Sequence, residues 1–192
     1  MTERLNLMRA RDISGLPVVP IDAGDDAAEI KDIVFDIDDH RLVGFTLNQR
    51  GWFRGTLSAT LPVDNVVGIG THAVMVPDED CLVDRGASDE ALSRSASGID
   101  VIGDRVFSSA GTEIGSVVDV IIETGPSPKA VGYEVETSDG TVFIPSSAQM
   151  SISDDNLVVP AEADDFTRND LAGFGAAVSS FRDLLDRGEH RS

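Results

Sequence analysis

Residues 61–77 read LPVDNVVGIGTHAVMVP, and residues 144–160 read IPSSAQMSISDDNLVVP. The two stretches align without a gap, so that Pro62 meets Pro145 and both stretches end in an aliphatic run before a proline. Similarity of this length within one chain is typical of an internal repeat, in which each copy forms one structural unit.

The sequence upstream of these stretches matches as well, and in the same order. Three further pairs align: Gly15 with Gly103, residues 30–36 (IKDIVFD) with residues 117–123 (VVDVIIE), and residues 43–45 (VGF) with residues 131–133 (VGY). The repeats therefore span residues 7–77 and 99–160. Because strand side chains alternate between the two faces of a sheet, the alignment predicts that Ile33 and Val120 both face an interior.

Each repeat has the composition and turn chemistry of a small all-β unit. Valine and isoleucine recur in short runs, which favours strands over helices. Asp139-Gly140 is a step that favours a hairpin turn, and Pro145 ends the next strand because proline cannot donate to the ladder. A small sheet has two exposed edges, and closing it into a barrel removes them. The predicted fold class is therefore all-β, with two small β-barrels.

The segments outside the repeats differ in kind. The segment between them is acidic and rich in serine and alanine, which predicts a linker. The last segment has apolar residues at spacings of four, three and four, which predicts a C-terminal α-helix. A helix this short is not stable alone, so we expect it to pack on its own barrels, on a second copy or on another protein. The predicted domains are a first barrel (1–77), an acidic linker (78–98), a second barrel (99–160) and a helical tail (161–192).

The order of the motifs resembles the PRC-barrel domain. The shared pattern is a hydrophobic-x-Asp-hydrophobic strand at 30–36 and 117–123, a Val-Gly-aromatic strand, and then Leu-Pro or Ile-Pro before a closing strand. The resemblance covers both repeats and implies two tandem PRC-like β-barrels with a C-terminal α-helix. It also implies an adaptor, because such barrels dock on other macromolecules and carry no catalytic residues of their own.

The charge limits the classes of partner. The formal net charge is −19, and the second repeat has 10 acidic and 2 basic residues. Neither the repeats nor the segments after them carry an excess of bases, so nucleic acid and anionic membrane surfaces are not expected partners. No stretch approaches the roughly 20 apolar residues that span a bilayer. One cysteine, Cys81, and no signal-peptide-like stretch together predict a cytoplasmic protein. The acidity is explained either by solubility in a salty cytoplasm or by a basic partner.

No catalytic, cofactor-binding or metal-binding residue is predicted. The three histidines do not have the spacing of a metal site or a catalytic triad: His40, His72 and His190. Cys81 lies among carboxylates that disfavour its thiolate. Residues 36–40 resemble the start of a calcium loop but lack its glycine and distant glutamate.

The first repeat has five extra residues in one hairpin, because 17 residues separate Gly44 from Pro62 and 12 separate Gly132 from Pro145. This hairpin holds the chain's one tryptophan, and tryptophan and arginine dominate interface hot spots. Alternatively, these side chains close a barrel end or meet the second barrel. The predicted partner-binding residues are Arg50, Trp52, Phe53 and Arg54 in the hairpin and Phe174, Val178, Phe181 and Leu185 in the helix.

These features predict a non-enzymatic adaptor that binds another protein without any cofactor. A homodimer through the C-terminal helix is one form of such binding. The alternative is a small-ligand or cation-binding module that uses a groove between the two barrels.

Overall fold

The structure of the chain is a computed structural model that describes residues 5–36, 42–48, 56–84, 95–97, 101–125, 127–147, 150–153 and 155–189. These residues form two compact units. The first unit takes its residues from 8–100 and 123–130, and the second unit takes its residues from 1–7, 101–122 and 131–192. None of the described helices is both long and apolar enough to cross a membrane.

The first unit is built on one sheet. Two short elements precede the sheet in the chain: β1 (Leu7–Arg9) and a one-turn helix, α1 (Ala10–Ile13). The strands of the sheet are β2 (Pro17–Pro20), β3 (Ala28–Asp36), β4 (Leu42–Asn48), β5 (Thr56–Pro62), β6 (Gly68–Ile69), β7 (Val74–Val76), β8 (Val83–Asp84) and β9 (Ser95–Ser97). Their order is β6-β7-β2-β3-β4-β5-β8, and β9 pairs with β3. The pair β2–β7 is parallel, and the other pairings described for this sheet are antiparallel.

The second unit repeats this arrangement and adds a helix. Its elements are β10 (Arg105–Ser108), β11 (Glu113–Glu123), β12 (Lys129–Thr137), β13 (Gly140–Pro145), β14 (Ser151–Ser153), β15 (Asn156–Val159) and α2 (Leu171–Glu189). The strand order is β13-β12-β11-β10-β15-β14, and β1 pairs with β11. The pair β10–β15 is parallel, as is the equivalent pair β2–β7 in the first unit.

The duplication extends to individual hydrogen bonds. The amide of Gly15 donates to the carbonyl of Ile30 at 2.8 Å, and in the second unit the amide of Gly103 donates to the carbonyl of Val117 at 2.8 Å. Both glycines have a positive φ, 84° and 99°, which costs glycine little and other residues more. The two repeats therefore share their turns as well as their strands, and the predicted all-β fold with two tandem units and a C-terminal helix is confirmed.

The cores of the two units lie at equivalent positions. Ile33 is 4% exposed and Val120 is 2% exposed, so the prediction that both face an interior is confirmed. Phe45 and Tyr133, which follow the aligned glycines, are buried in the same way. The alignment of the repeats therefore has the correct strand register.

Both described ends of the predicted linker belong to the first sheet. β8 pairs with β5 through Thr60 and Val83, and β9 pairs with β3. The hydroxyl of Thr60 also donates to the Val83 carbonyl at 3.3 Å, and the side-chain amide of Asn65 donates to the Cys81 carbonyl at 3.0 Å. Residues 83–84 and 95–97, within the range predicted as a linker, thus pair with strands of the first sheet.

The same edge is completed in the second unit. Phe143, which aligns with Thr60, forms an antiparallel bridge with Arg168, with backbone hydrogen bonds of 2.7 and 3.1 Å. A short 3-10 helix precedes the added residue in both units, at Glu79–Cys81 and at Ala161–Phe166. The structural repeat therefore runs past the proline at which the similarity in sequence ends.

Candidate functional site

The predicted partner surface has a helical part, and the structure buries three of its four residues. Phe174 and Val178 belong to an apolar cluster with Ile121, Val131 and Phe143. Phe181 is 1% exposed, and its ring centroid lies 5.0 Å from that of Phe166. These contacts lie within the second unit, so the helix follows the first expected alternative, packing on its own barrel. A homodimer through these three residues would require the helix to leave that barrel, and the side chain of Leu185 lies outside the described residues.

Two features fix the helix in this place. Asp170 accepts a hydrogen bond from the Gly173 amide at 2.7 Å and thereby caps the first turn. Gly132 lies against the ring of Phe174, and a Cβ at this position would collide with that ring and with the Ile144 carbonyl. The absence of a side chain at Gly132 therefore lets Phe174 lie on the sheet, with its ring centroid 5.7 Å from that of Phe143. This contact explains the glycine of the Val-Gly-aromatic motif in the second repeat.

The same apolar cluster is covered on another side by the N-terminal segment, residues 5–9. Leu5 and Leu7 pack against the cluster but are themselves only partly buried. Gly175 of α2 allows this approach, because a Cβ there would lie 3.6 Å from Leu7 Cδ1 and 3.9 Å from Leu5 Cβ. This contact was not predicted from the sequence, although the alternation of leucines before β2 is typical of an additional strand.

The hairpin part of the predicted surface lies outside the described residues: Arg50, Trp52, Phe53 and Arg54. The structure does describe the strands on either side. Gly44 pairs with Pro62 as Gly132 pairs with Pro145, and Asn48 pairs with Thr56 at the end of the described ladder. The ladder shifts by two residues between Thr46 and Asn48, so two of the five extra residues lie in a bulge of β5 and three lie beyond Asn48 and Thr56.

Two ionisable side chains have a shifted pKa that bears on chemistry. Burial raises the pKa of Tyr133 to about 12, and the negative charge of Asp104 adds to the effect. The pKa of the Cys81 thiol is also raised, first by desolvation and then by Asp78, whose carboxylate accepts from Sγ at 3.4 Å. Both shifts favour the protonated form, so neither residue is a ready nucleophile at neutral pH.

A cavity of about 320 Å³ lies in the second unit, lined in part by Ile144, Val159, Ser108, Glu113 and Thr167. Two of its polar side chains, Glu113 and Thr167, already have partners. Glu113 accepts from Arg105 at 2.8 Å, which lowers the pKa of the carboxyl group, and the Thr167 hydroxyl donates to the Ala163 carbonyl at 3.2 Å. Within the described part of the chain, no three histidine, cysteine or carboxylate side chains form a group that could hold a metal ion.

The folds and contacts of both units define a duplicated small β module. The model of the PRC-barrel domain family matches residues 5–80 and 97–166, and the chain belongs to this family through two tandem copies. The second match ends close to Arg168, which closes the edge of β13. No curated protein matches the chain at a significant level.

Proposed function

We infer that the chain is a non-enzymatic adaptor of the cytoplasm that binds another protein through the hairpin between β4 and β5. One observation carries this proposal. The pairing of Gly44 with Pro62 matches that of Gly132 with Pro145, and the five extra residues of the first repeat divide into two in a bulge of β5 and three in the hairpin beyond Asn48 and Thr56. A shared scaffold does not need them, so a role in recognition explains why only one copy has them.

The composition of this hairpin supports a protein partner. It carries Arg50 and Arg54 around Trp52 in a chain whose formal net charge is −19. Tryptophan and arginine are enriched at interface positions that dominate binding energy. An arginine pair in an acidic chain also favours a partner that presents carboxylates at this point, because complementary charges increase both specificity and the rate of association.

The test is a double variant in the full chain, Arg50→Ala with Trp52→Ala. Purified wild-type and variant protein are crosslinked in lysate of the native cells, and the captured proteins are quantified by mass spectrometry. We expect a protein that the wild type captures and the variant loses, with a melting temperature that changes little. The matched control is Lys129→Ala with Ile102→Ala, which also removes one exposed base and one apolar side chain that is 43% exposed.

Three results would count against the proposal. The first is that the wild type captures no protein reproducibly. The second is that the hairpin variant and the matched control capture the same proteins in the same amounts. The third is a melting temperature several degrees lower in the hairpin variant, which would assign these side chains to the stability of the chain.

A further inference from the structure

Each long strand leaves part of one edge open to an added strand. In the second unit, β10 pairs with β11 at Glu113, Gly115 and Ser116. β1 pairs with β11 as an additional strand of the same sheet. In the first unit, β2 pairs with Ala28 and Glu29 of β3, and β9 pairs with residues 34–36. Strand addition at this edge is therefore a property of both units.

The added strands come from unexpected places in the chain. β1 precedes the first repeat but pairs with the long strand of the second, and β9 precedes the second repeat but pairs with the long strand of the first. The spacing from Leu7 to Ser95 equals that from Gly15 to Gly103, so β1 and β9 are equivalent segments. Each edge thus accepts a strand that its own repeat does not supply.

The strand that fills the edge of β11 is short. β1 has three residues, all partly buried, and its apolar contribution comes from Leu5 and Leu7 on the cluster around Phe174. A three-residue strand makes few ladder hydrogen bonds, and each contributes about 1 kcal/mol net. The segment is held in place largely because it belongs to the same chain as the sheet that it completes.

Charge also favours this segment at this place. Residues 1–11 contain three arginines and one glutamate, whereas the second repeat has 10 acidic and 2 basic residues. The N-terminal segment itself, residues 5–9, has alternating leucines, one arginine and no acidic residue, and it lies on the unit that holds the acidic second repeat. Opposite charge and an apolar cluster with space for two leucines together describe the ligand that the groove selects.

We propose that the open edge of β11, together with the cluster around Phe174, is a strand-docking groove for a basic, leucine-alternating segment of a partner protein, which residues 5–9 occupy in the free chain. The proposal rests on the adaptor function and adds a second contact with defined chemistry. Backbone pairing with β11 gives affinity, the packing of two leucines on the cluster gives spacing, and the net negative charge of the second repeat gives the preference for arginine. The tethered segment competes at an effective concentration on the order of millimolar, so the groove admits only a partner that binds better than its own chain.

The probe is a fluorescein-labelled peptide of residues 1–11, MTERLNLMRAR, titrated into the full chain with anisotropy as the readout. The double variant Leu5→Ala with Leu7→Ala in the protein weakens the binding of its own residues 5–9 to the groove. We expect the peptide to bind this variant at least about ten-fold more tightly than it binds the wild type. Adding Gly175→Leu fills the place of the two leucines and should abolish binding. The matched peptides carry serine in place of both leucines, or glutamate in place of the arginines, and both should bind roughly ten-fold more weakly.

Amide hydrogen exchange over β12 and α2 checks that the variants keep the second unit folded. If the double leucine variant does not fold, Arg9→Glu weakens the tethered strand through charge alone and should still increase peptide binding. Equal binding by wild type, the open variant and the Gly175→Leu variant would overturn the groove. A concentration-dependent dimer of the wild type in light scattering would assign the groove to a second copy and overturn the assignment to a partner protein.

The two proposals fail separately. If the peptide does not bind but the hairpin variant still loses a captured protein, the groove is wrong and the adaptor function stands. If the peptide binds as expected but the wild type and the hairpin variant capture the same proteins in the same amounts, the hairpin contact is wrong and the groove stands.

Discussion

Replacing Phe174 by alanine tests the packing of the C-terminal helix most directly. The side chain has no exposed surface, lies against Gly132 and has its ring centroid 5.7 Å from that of Phe143. A buried aromatic side chain removes about 150–250 Å² from water, and at about 25 cal/mol/Å² this corresponds to roughly 4–6 kcal/mol. Alanine retains part of this area, while the cavity left behind adds to the cost. The expected loss of unfolding free energy is therefore about 3–5 kcal/mol.

This loss is a large share of the stability of a domain, which is typically about 5–15 kcal/mol. We expect the second unit to unfold at a lower urea concentration, measured by far-UV circular dichroism, and the first unit to change little. Hydrogen exchange with mass spectrometry separates the two effects, because peptides from β12 and α2 report on the second unit and peptides from β4 report on the first.

The matched control lies on the same helix. Leu184 is 42% exposed, so Leu184→Ala should change the unfolding free energy by less than about 0.5 kcal/mol. If Phe174→Ala were no more costly than Leu184→Ala, the helix would not contribute its aromatic face to the barrel in solution. That result would return Phe174, Val178 and Phe181 to the predicted partner surface.

Two further predictions concern single positions. Gly44→Ala should lower the unfolding free energy by about 3 kcal/mol, because the new Cβ would lie 2.5 Å from the Leu61 carbonyl oxygen. The control is Gly68→Ala, whose new Cβ would have nothing within 4 Å and should change the unfolding free energy by less than about 1 kcal/mol. Equal losses for the two variants in urea unfolding would contradict the predicted clash at Gly44. Tyr133 is the one tyrosine of the chain, and its pKa of about 12 in the folded state lies above the ordinary 10.0, so the folded state retains the proton longer. The contribution of this pKa difference to the unfolding free energy is fully present below pH 10, and it falls by roughly 2–3 kcal/mol as the pH rises to 12. Absorbance at 295 nm should show no phenolate near pH 10 in the folded protein, and Tyr133→Phe should remove this pH dependence from urea midpoints; a midpoint of titration near 10 would refute it.

The sequence was sufficient to predict the parts of the fold that depend on repeated local patterns. The alignment placed Ile33 and Val120 at equivalent buried positions, and hydrophobic periodicity predicted the C-terminal helix. Strand register can be read from a repeat because a shift by one residue would move a whole apolar face into solvent. Two copies of one pattern in a single chain provide that comparison without any other sequence.

The short added strands could not be predicted in the same way. β8 has two residues and β9 has three, so neither has enough alternation to be distinguished from a loop. Their conformation is set by the edges of β5 and β3, which lie far away in sequence. The acidic, serine-rich composition of residues 78–98 is typical of a linker, and tertiary pairing overrides that local preference at both described ends.

The candidate site was predictable only in part, for a related physical reason. Helical spacing of Phe174, Val178 and Phe181 shows that one face is apolar, and it does not show which surface covers that face. The structure resolves this through Gly132, whose missing side chain admits the Phe174 ring. The glycine was visible in the sequence as part of the Val-Gly-aromatic motif. The contact of this glycine with Phe174 was not visible, because nothing in the local pattern connects Gly132 with a helix about 40 residues later in the chain.

The added strands also change what counts as one unit of this protein. A cut of the chain between β8 and β9 would separate β1 from the sheet that it completes and β9 from the other sheet. Each half would then have an unpaired strand edge, which is a template for pairing with another chain. In the intact chain the two edges are covered by segments that are equivalent in sequence position but differ in chemistry: leucines and an arginine in residues 5–9, serines and an alanine in β9. The two edges are therefore covered at equivalent positions of the repeats by segments of different composition.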